Sequence, residues 1–239
     1  MSTTSTTAGT ASTSARALAR DHLTRAILAS ARAQLGTAGP AALSVRAVAR
    51  DVGMASSAVY RYFASRDDLL TALLVECFDE HGEAVEEAEA AVDRADLSGR
   101  WSAVAHAFRR WAAEHHWDYA LLYGSPVPGY VAPEQTVGPA TRVTRVLLGL
   151  LGDAADQGVQ GRGPAAGAGF HAATADVRAF AGADLPDELL LAGLAAWSGL
   201  VGAVTLELFG HLDNAVGDRE AWFDALVRRL DPFDPTDAA

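Results

Sequence analysis

Apolar residues in this chain recur every third or fourth position, and no run of β-branched residues alternates with polar ones. That pattern confines the chain to an all-α fold. Leu23, Ile27, Ala31 and Leu35 repeat at a spacing of four between Arg16 and Leu35, with Arg20, Arg25 and Arg32 between them, which predicts an amphipathic helix. Gly36 and the Gly39-Pro40 pair end it. Ser44 then stands in N-cap position ahead of Val45, Val48, Ala49 and Val52, the i, i+3, i+4, i+7 face of a short second helix. Gly53 supplies a turn, and a third helix is expected from about Ser56 to Phe63. Ser65 caps a fourth, running to about Ala91, with Asp67 and Asp68 in its first turn, where the helix dipole favours acids.

The remainder also reads as helix. Trp101, Val104, Phe108 and Trp111 form one stripe. A helix from about Glu134 to Asp153 follows an irregular Pro/Gly segment, and the Gly-rich stretch from Gly158 to Gly169 reads as a mobile loop. A very apolar helix is expected from Pro186 to Phe209, and a last one, about Asp218 to Leu230, carries Trp222, Phe223, Leu226 and Leu230. With 239 residues, half of them hydrophobic, the chain has room for one or two domains and a sizeable core. The expected division is a disordered tail over 1–14, where Ser, Thr, Ala and Gly show no periodicity, a helix-turn-helix domain over 15–76, a larger helical domain over 77–232, and a tail over 233–239.

Charge is segregated along this order. The net charge is -11, yet residues 1–66 hold eight arginines against Asp21 and Asp51, a local balance of +6. A basic head on an acidic body is the asymmetry expected when only the head meets phosphate. The single cysteine, Cys77, excludes an internal disulfide framework and fits a reducing cytoplasm. No charged segment followed by an apolar one opens the chain, so no secretory signal is expected.

Three short helices, the last two joined by a tight glycine turn, meet the requirements of a helix-turn-helix. On the third helix the faces separate. Ala55, Val59, Tyr62 and Phe63 lie on one side, suited to packing on the first two helices. Ser56, Ser57, Tyr60 and Arg61 lie on the other, hydroxylated, aromatic-polar and cationic, as a surface entering the major groove of DNA requires. Arg46 on the second helix and Arg66 at the start of the fourth flank that face. Ser44, with the helix N-terminus behind it, is placed to offer backbone N–H groups to a phosphate.

The stretch Ser44-Val-Arg-Ala-Val-Ala-Arg-Asp-Val-Gly-Met-Ala-Ser-Ser-Ala-Val-Tyr-Arg-Tyr-Phe, followed by Ala-Ser-Arg-Asp-Asp-Leu-Leu, resembles the TetR/AcrR family of one-component repressors over residues 16–75. The resemblance implies that Ser44, Arg46, Ser56, Ser57, Tyr60, Arg61 and Arg66 occupy DNA-contacting positions, with Tyr60 foremost as a phosphate contact. Ala55 stands where the family has a capping Ser or Thr, so Ser56 is expected to cap instead. Ser57-Ala58 replaces the usual Gly-Thr, which removes a hydroxyl and leaves the operator sequence open. Residues 100–230, with His116-Trp-Asp-Tyr-Ala-Leu-Leu-Tyr-Gly-Ser-Pro-Val-Pro-Gly-Tyr-Val-Ala-Pro, resemble the C-terminal domain of a TetR subgroup named for a Trp-His-Gly signature. That signature reads Trp197-Ser198-Gly199 here. The resemblance implies an all-helical ligand-binding and dimerisation domain.

Trp101, Phe108, Trp111, Trp117, Tyr119, Tyr123 and Trp197 are candidates to line an apolar pocket, with His115, His116 or His171 as its polar group. At helical spacing the same aromatics also read as core. The ligand expected is small and mostly apolar. No metal or other cofactor is expected: His115 and His116 are adjacent and point apart on a helix, while His81, His106 and His211 are scattered. The uncharged run Leu189 to Leu206 has acidic flanks and no basic cluster at either end, unlike a membrane span. It reads as a helix buried against its own domain and a second subunit, with Gly193, Gly199 and Gly202 allowing close approach. The reading is a cytoplasmic, homodimeric, DNA-binding regulator, a repressor released from a palindromic operator by a ligand, dimerising through about 186–209 and 218–230. An activator or a partner-regulated DNA-binding protein is the alternative. An enzyme is the least favoured class, since no nucleophile–base–orienter set is apparent.

Overall fold

A computed structural model of the chain describes residues 7–161 and 165–233, and among these every regular element is helical. The helices are α1 (Thr7–Ala38), α2 (Val45–Asp51), α3 (Ser56–Val59), α4 (Arg66–Ala90), α5 (Leu97–Glu114), α6 (His116–Tyr123), α7 (Val137–Ala140), α8 (Arg142–Asp156), α9 (Phe170–Ala173), α10 (Ala175–Ala181), α11 (Asp187–Leu208) and α12 (Arg219–Leu230). The chain divides into two compact units, 1–77 with 120–136, and 78–119 with 137–239. The first break falls after Cys77, inside α4. Residues 120–136, expected to belong wholly to the second domain, group with the first unit. There the Tyr130 hydroxyl and Thr71 Oγ1 lie 2.8 Å apart.

In the first unit the four-residue repeat of α1 does what its spacing predicts. Ile27, Ala31 and Leu35 are fully buried, and α1 packs on α2; Val45, Val48 and Ala49 of α2, Val59 of α3 and Leu69, Leu70 and Leu73 of α4 are buried in the same unit. Each large aliphatic side chain removed from water contributes roughly 1.5–3 kcal/mol. Two boundaries differ from expectation. Helix α1 begins at Thr7 rather than near Arg16, because an established helix extends at the gain of one hydrogen bond per added residue. The rest of the expected N-terminal tail, residues 1–6, lies outside the described residues. At the other end Phe233 is buried, not part of a tail, and 234–239 lie outside the described residues.

In the second unit α11 packs along α5, α8 and α12, and α5 packs along α8 and α12. The glycines of α11 explain the close approach at two of three places. A Cβ on Gly193 would stand 2.5 Å from Leu151 of α8, and one on Gly199 would stand 2.7 Å from Leu230 of α12, while Gly202 meets nothing within 4 Å. Polar clamps join the same helices. Arg109 forms a bidentate pair with Glu207 at 2.7 Å for each bond and reaches Glu220 at 2.8 Å, tying α5 to α11 and α12. Buried Arg100 ties α5 to Glu89 of α4 and Asp153 of α8. Helix α11 is long and apolar enough to cross a membrane by length and composition, with mean hydropathy 1.9. Only 39% of its apolar window is buried within the chain.

Candidate nucleic-acid interface

The turn between α2 and α3 is set by local chemistry. The Ser44 hydroxyl accepts the Ala47 N–H and caps α2. At the other end Gly53 adopts φ +67°, the left-handed conformation that glycine takes without steric cost. Its N–H donates to Arg50 O at 3.1 Å and the Met54 N–H donates to Ala49 O at 2.8 Å. This pair of bonds closes a Schellman motif and satisfies two orphan carbonyls of α2. The chain is thereby aimed into α3, which is shorter than expected. It ends at Val59, and the bonds Arg61 N–H to Ala58 O and Tyr62 N–H to Val59 O tighten the following turn. Ala55 is the N-cap and makes no side-chain cap bond. Ser56, expected to take over that role, is instead the first helical residue.

Val59 is fully buried and Phe63 nearly so, which locks the orientation of α3 against α1 and α2. The opposite face carries Ser57, Tyr60 and Arg61, all exposed, with Ser56 half-buried beside them and Arg46 exposed on α2. Tyr60 presents 47% of its surface, unusual for a large aromatic side chain with no burial to gain there. Hydroxyl, phenol and guanidinium groups thus stand exposed on α3 and the turn after it, with a further exposed guanidinium on α2, the inventory needed for phosphate and base-edge contacts.

Two residues expected to hold phosphate have other work. Arg66 donates from Nε to Leu43 O and from Nη2 to Pro40 O, each at 3.1 Å, and braces the turn before α2. Ser44 spends its hydroxyl on the cap, and its N–H donates to Gln34 Oε1 at 3.2 Å. Sequence reasoning missed Arg20. Its guanidinium lies 5.1 Å from the centre of the Tyr62 ring and within 3.5 Å of Arg61 O.

The expected aromatic pocket of the second unit is an aromatic core. Trp101, Phe108, Trp111 and Tyr119 are all buried. Trp101 Nε1–H donates to Val227 O at 2.9 Å, and the Tyr119 hydroxyl lies 2.8 Å from Thr205 Oγ1. Phe108 packs edge-on against Tyr119 and Trp197, at 6.0 and 5.6 Å between ring centres. Trp111 is sandwiched between His81 at 4.3 Å and His115 at 5.0 Å. Burial pushes the His81 imidazole down to about 3, assisted by the charge of His115. Trp117 is half exposed, His116 packs edge-on against it and Phe209, and Tyr123 lies at the end of α6 in the first unit. His171 is exposed, 3.0 Å from Asp187. Among the described residues no group of three or more His, Cys, Asp or Glu is placed to hold a metal ion.

Of the expected aromatic set, only Trp197 reaches the apolar cavity. That cavity, about 380 Å³, lies between α8, α10 and α11 and is walled by Leu147, Leu148 and Leu151, by Val177 and Phe180, and by Leu190 and Leu194. Asp176, Thr141 and Thr144 supply its polar edge. Leu147 and Leu151 sit one turn apart, as do Leu190 and Leu194, a spacing visible in the sequence; the convergence of three helices on one space is not.

A Ser–His–Asp alignment also occurs, on α5 and α12. His106 Nε2 lies 2.9 Å from Asp224, and Nδ1 lies 3.4 Å from Ser102 Oγ. The same Nδ1 is closer, 2.7 Å, to Ser102 O. A carbonyl only accepts, so the 2.7 Å contact is a hydrogen bond in the tautomer that carries its proton on Nδ1. The hydrogen bond from His106 holds the Asp224 carboxyl below its ordinary value. The arrangement fastens α12 to α5.

Two family models match the chain. Residues 27–73 match the family model for bacterial regulatory proteins of the tetR family, and residues 101–230 match a tetracyclin repressor-like C-terminal domain. An HTH-type transcriptional regulator of Mycobacterium tuberculosis is 37% identical over 184 residues, spanning 76% of this chain and 79% of that protein. The crystal structure of a candidate regulatory protein, SCO4313, superposes with TM-score 0.74 at 32% identity over 88% of this chain and 96% of that one. A Rhodococcus sp. RHA1 protein of unknown function gives TM-score 0.64 at 27% identity, covering 87% and 95%.

Proposed function

Since the chain belongs to the TetR family and is a DNA-binding transcriptional regulator, we propose that it acts in the cytoplasm as a homodimeric repressor. In this reading a small, mostly apolar ligand in the α8–α10–α11 cavity releases it from its operator. The observation that carries the DNA-facing assignment is the surface of Ser57, Tyr60 and Arg61, held outward by the burial of Val59 and Phe63. Ser56 and Arg46 extend that surface. Two such heads related by a two-fold axis would read a palindromic operator with half-sites ~34–36 Å apart.

Dimerisation through α11 and α12 is supported by what α11 leaves uncovered. A helix of mean hydropathy 1.9 with 39% of its apolar window buried needs a further partner. The acidic flanks noted above disfavour a lipid one. Ligand release is supported by the position of Arg142. It stands at the start of α8, next to the cavity wall, and grips α4 through Glu86 at 2.6 and 2.8 Å and Asp79 O at 2.8 Å. A ligand that displaces α8 therefore acts on a helix that begins at Arg66, directly after the DNA-facing turn. A coupling of ~1–3 kcal/mol changes operator affinity by roughly 5–150-fold.

The test is a mobility shift on the DNA upstream of the chain's own gene, with sedimentation to give the mass of the complex. A dimer on a palindromic site is expected, weakened by Tyr60→Phe and Arg61→Ala and dissociated by an apolar ligand. A monomer on DNA, or full affinity in the Arg61→Ala variant, would overturn the assignment.

A further inference from the structure

The N-terminal part of α1, ahead of its first core residue, does more than begin a helix. Residues 16–22 are exposed at every position, with Leu18 at 66%, and from residue 16 onward the first buried residue of α1 is Ile27. This stretch lies ahead of the segment matched by the family model, which starts at 27. Its residues favour helix, Arg16, Ala17, Leu18, Ala19 and Arg20 all being good helix formers, but they bury nothing. The core of the first unit does not need them.

The stretch is basic and lies beside the DNA-facing surface. No acidic residue occurs among residues 1–20, and Asp21, the first, is paired with Arg25 at 2.8 Å. Arg20 reaches the end of the α3 turn, within 3.5 Å of Arg61 O and over the Tyr62 ring. Arg16 sits one turn earlier on the same side of the helix, about 6 Å further along its axis. Arg16, Arg20 and Arg61 thus form a continuing line of exposed cations on the first unit.

We infer that the N-terminal stretch of α1, through Arg16 and Arg20, is a second contact to the DNA backbone, gripping phosphates outside the groove that receives α3. The inference rests on the reading of α3 as the DNA-facing element. Duplex DNA is the partner this chemistry fits. The groups are guanidinium ions without an apolar pocket, adjoining a groove-reading face, and phosphate recognition by arginine needs no other element. Such a contact adds affinity without adding sequence choice.

The test uses the full chain and a fluorescent duplex from upstream of its own gene, with anisotropy titrations between 50 and 200 mM salt. Arg16→Ala is the informative variant, because Arg16 is exposed and its loss leaves the core intact. Each lost phosphate contact lowers the salt slope by about 0.9, so the fourfold rise in salt costs the wild type about 3.5-fold more affinity per arm than the variant, or roughly 12-fold for two arms. Arg16→Lys, which keeps the charge, should restore the wild-type slope. If Arg61→Ala weakens binding while Arg16→Ala matches the wild type in affinity and slope, the arm is wrong and α3 stands. If the wild type does not bind duplex DNA, or Arg61→Ala binds as well as wild type, the reading of α3 falls and takes the arm with it.

Discussion

Protonating His81 should unfold the second unit from within. The imidazole has no exposed surface, stacks on Trp111 at 4.3 Å and lies tilted against Phe108 at 4.6 Å, so its charged form loses the hydration it has in the unfolded chain. Its value falls from an ordinary 6.5 to about 3. The unfolded chain therefore binds a proton that the folded chain refuses between those limits, and stability must fall as pH falls through that window. The slope is about 1.4 kcal/mol per pH unit once well below 6.5. Between pH 7 and pH 5 this one residue removes roughly 2 kcal/mol, a large fraction of a typical folding free energy. The assay is urea unfolding at both pH values, at one protein concentration, followed by tryptophan fluorescence. All five tryptophans lie in the second unit and report on it. His81→Leu keeps an apolar side chain in the stack and cannot titrate. Its loss of stability between pH 7 and 5 should be smaller than the wild-type loss by roughly 2 kcal/mol, whatever its absolute stability. Equal losses in the two proteins would refute the argument and move the acid sensitivity to other groups.

Three other substitutions separate roles that the structure assigns. Gly53→Ala meets no steric obstacle within 4 Å but retains φ +67°, so it should cost about 1–2 kcal/mol in thermal unfolding through conformation alone, and Gly53→Asn less. Arg66→Met should lower the stability of the first unit by roughly 1–3 kcal/mol through its two lost carbonyl bonds. Its salt slope on DNA should stay at the wild-type value; a drop of about one would restore Arg66 as a phosphate contact. Leu148→Trp should fill the α8–α10–α11 cavity and abolish the response to ligand while DNA affinity without ligand stays unchanged. A ligand response equal to wild type in that variant would place the ligand elsewhere.

Much of the first unit was legible because its determinants are local. A hydroxyl before an apolar repeat caps α2, a glycine turns the chain, and alternation of buried and exposed side chains on α3 follows from a few residues. What sequence could not supply is reach. Arg66 bonds to carbonyls 23 and 26 residues earlier, and nothing in its own neighbourhood distinguishes it from an arginine awaiting phosphate. The aromatic stripe of α5 has the same period whether it lines a cavity or fills a core, and only the approach of α4, α6 and α11 decides for core. Helices α9 and α10 were missed for another reason: at four and seven residues they complete too few turns to show a period. Short amphipathic pieces such as Val177 and Phe180 become visible once they are seen walling a cavity.

The acidic body gives the basic head its meaning. Residues 67–239 carry 28 acids against eleven arginines, and the structure commits several of those arginines internally: Arg100, Arg109 and Arg142 each bridge helices of the second unit through carboxylates. Cations spent in this way are unavailable to phosphate, and the uncompensated acids repel it. The exposed arginines of the first unit, Arg16, Arg20, Arg46 and Arg61, have few carboxylates near them in sequence and occupy the surface next to α3 and the start of α1. A net charge of -11 therefore does not oppose DNA binding. It confines binding to one end of the sequence, because any approach by the second unit is electrostatically unfavourable while approach by the first is steered. Non-specific affinity is held down by the same division, so the residues that read the groove are left to determine which duplex is occupied.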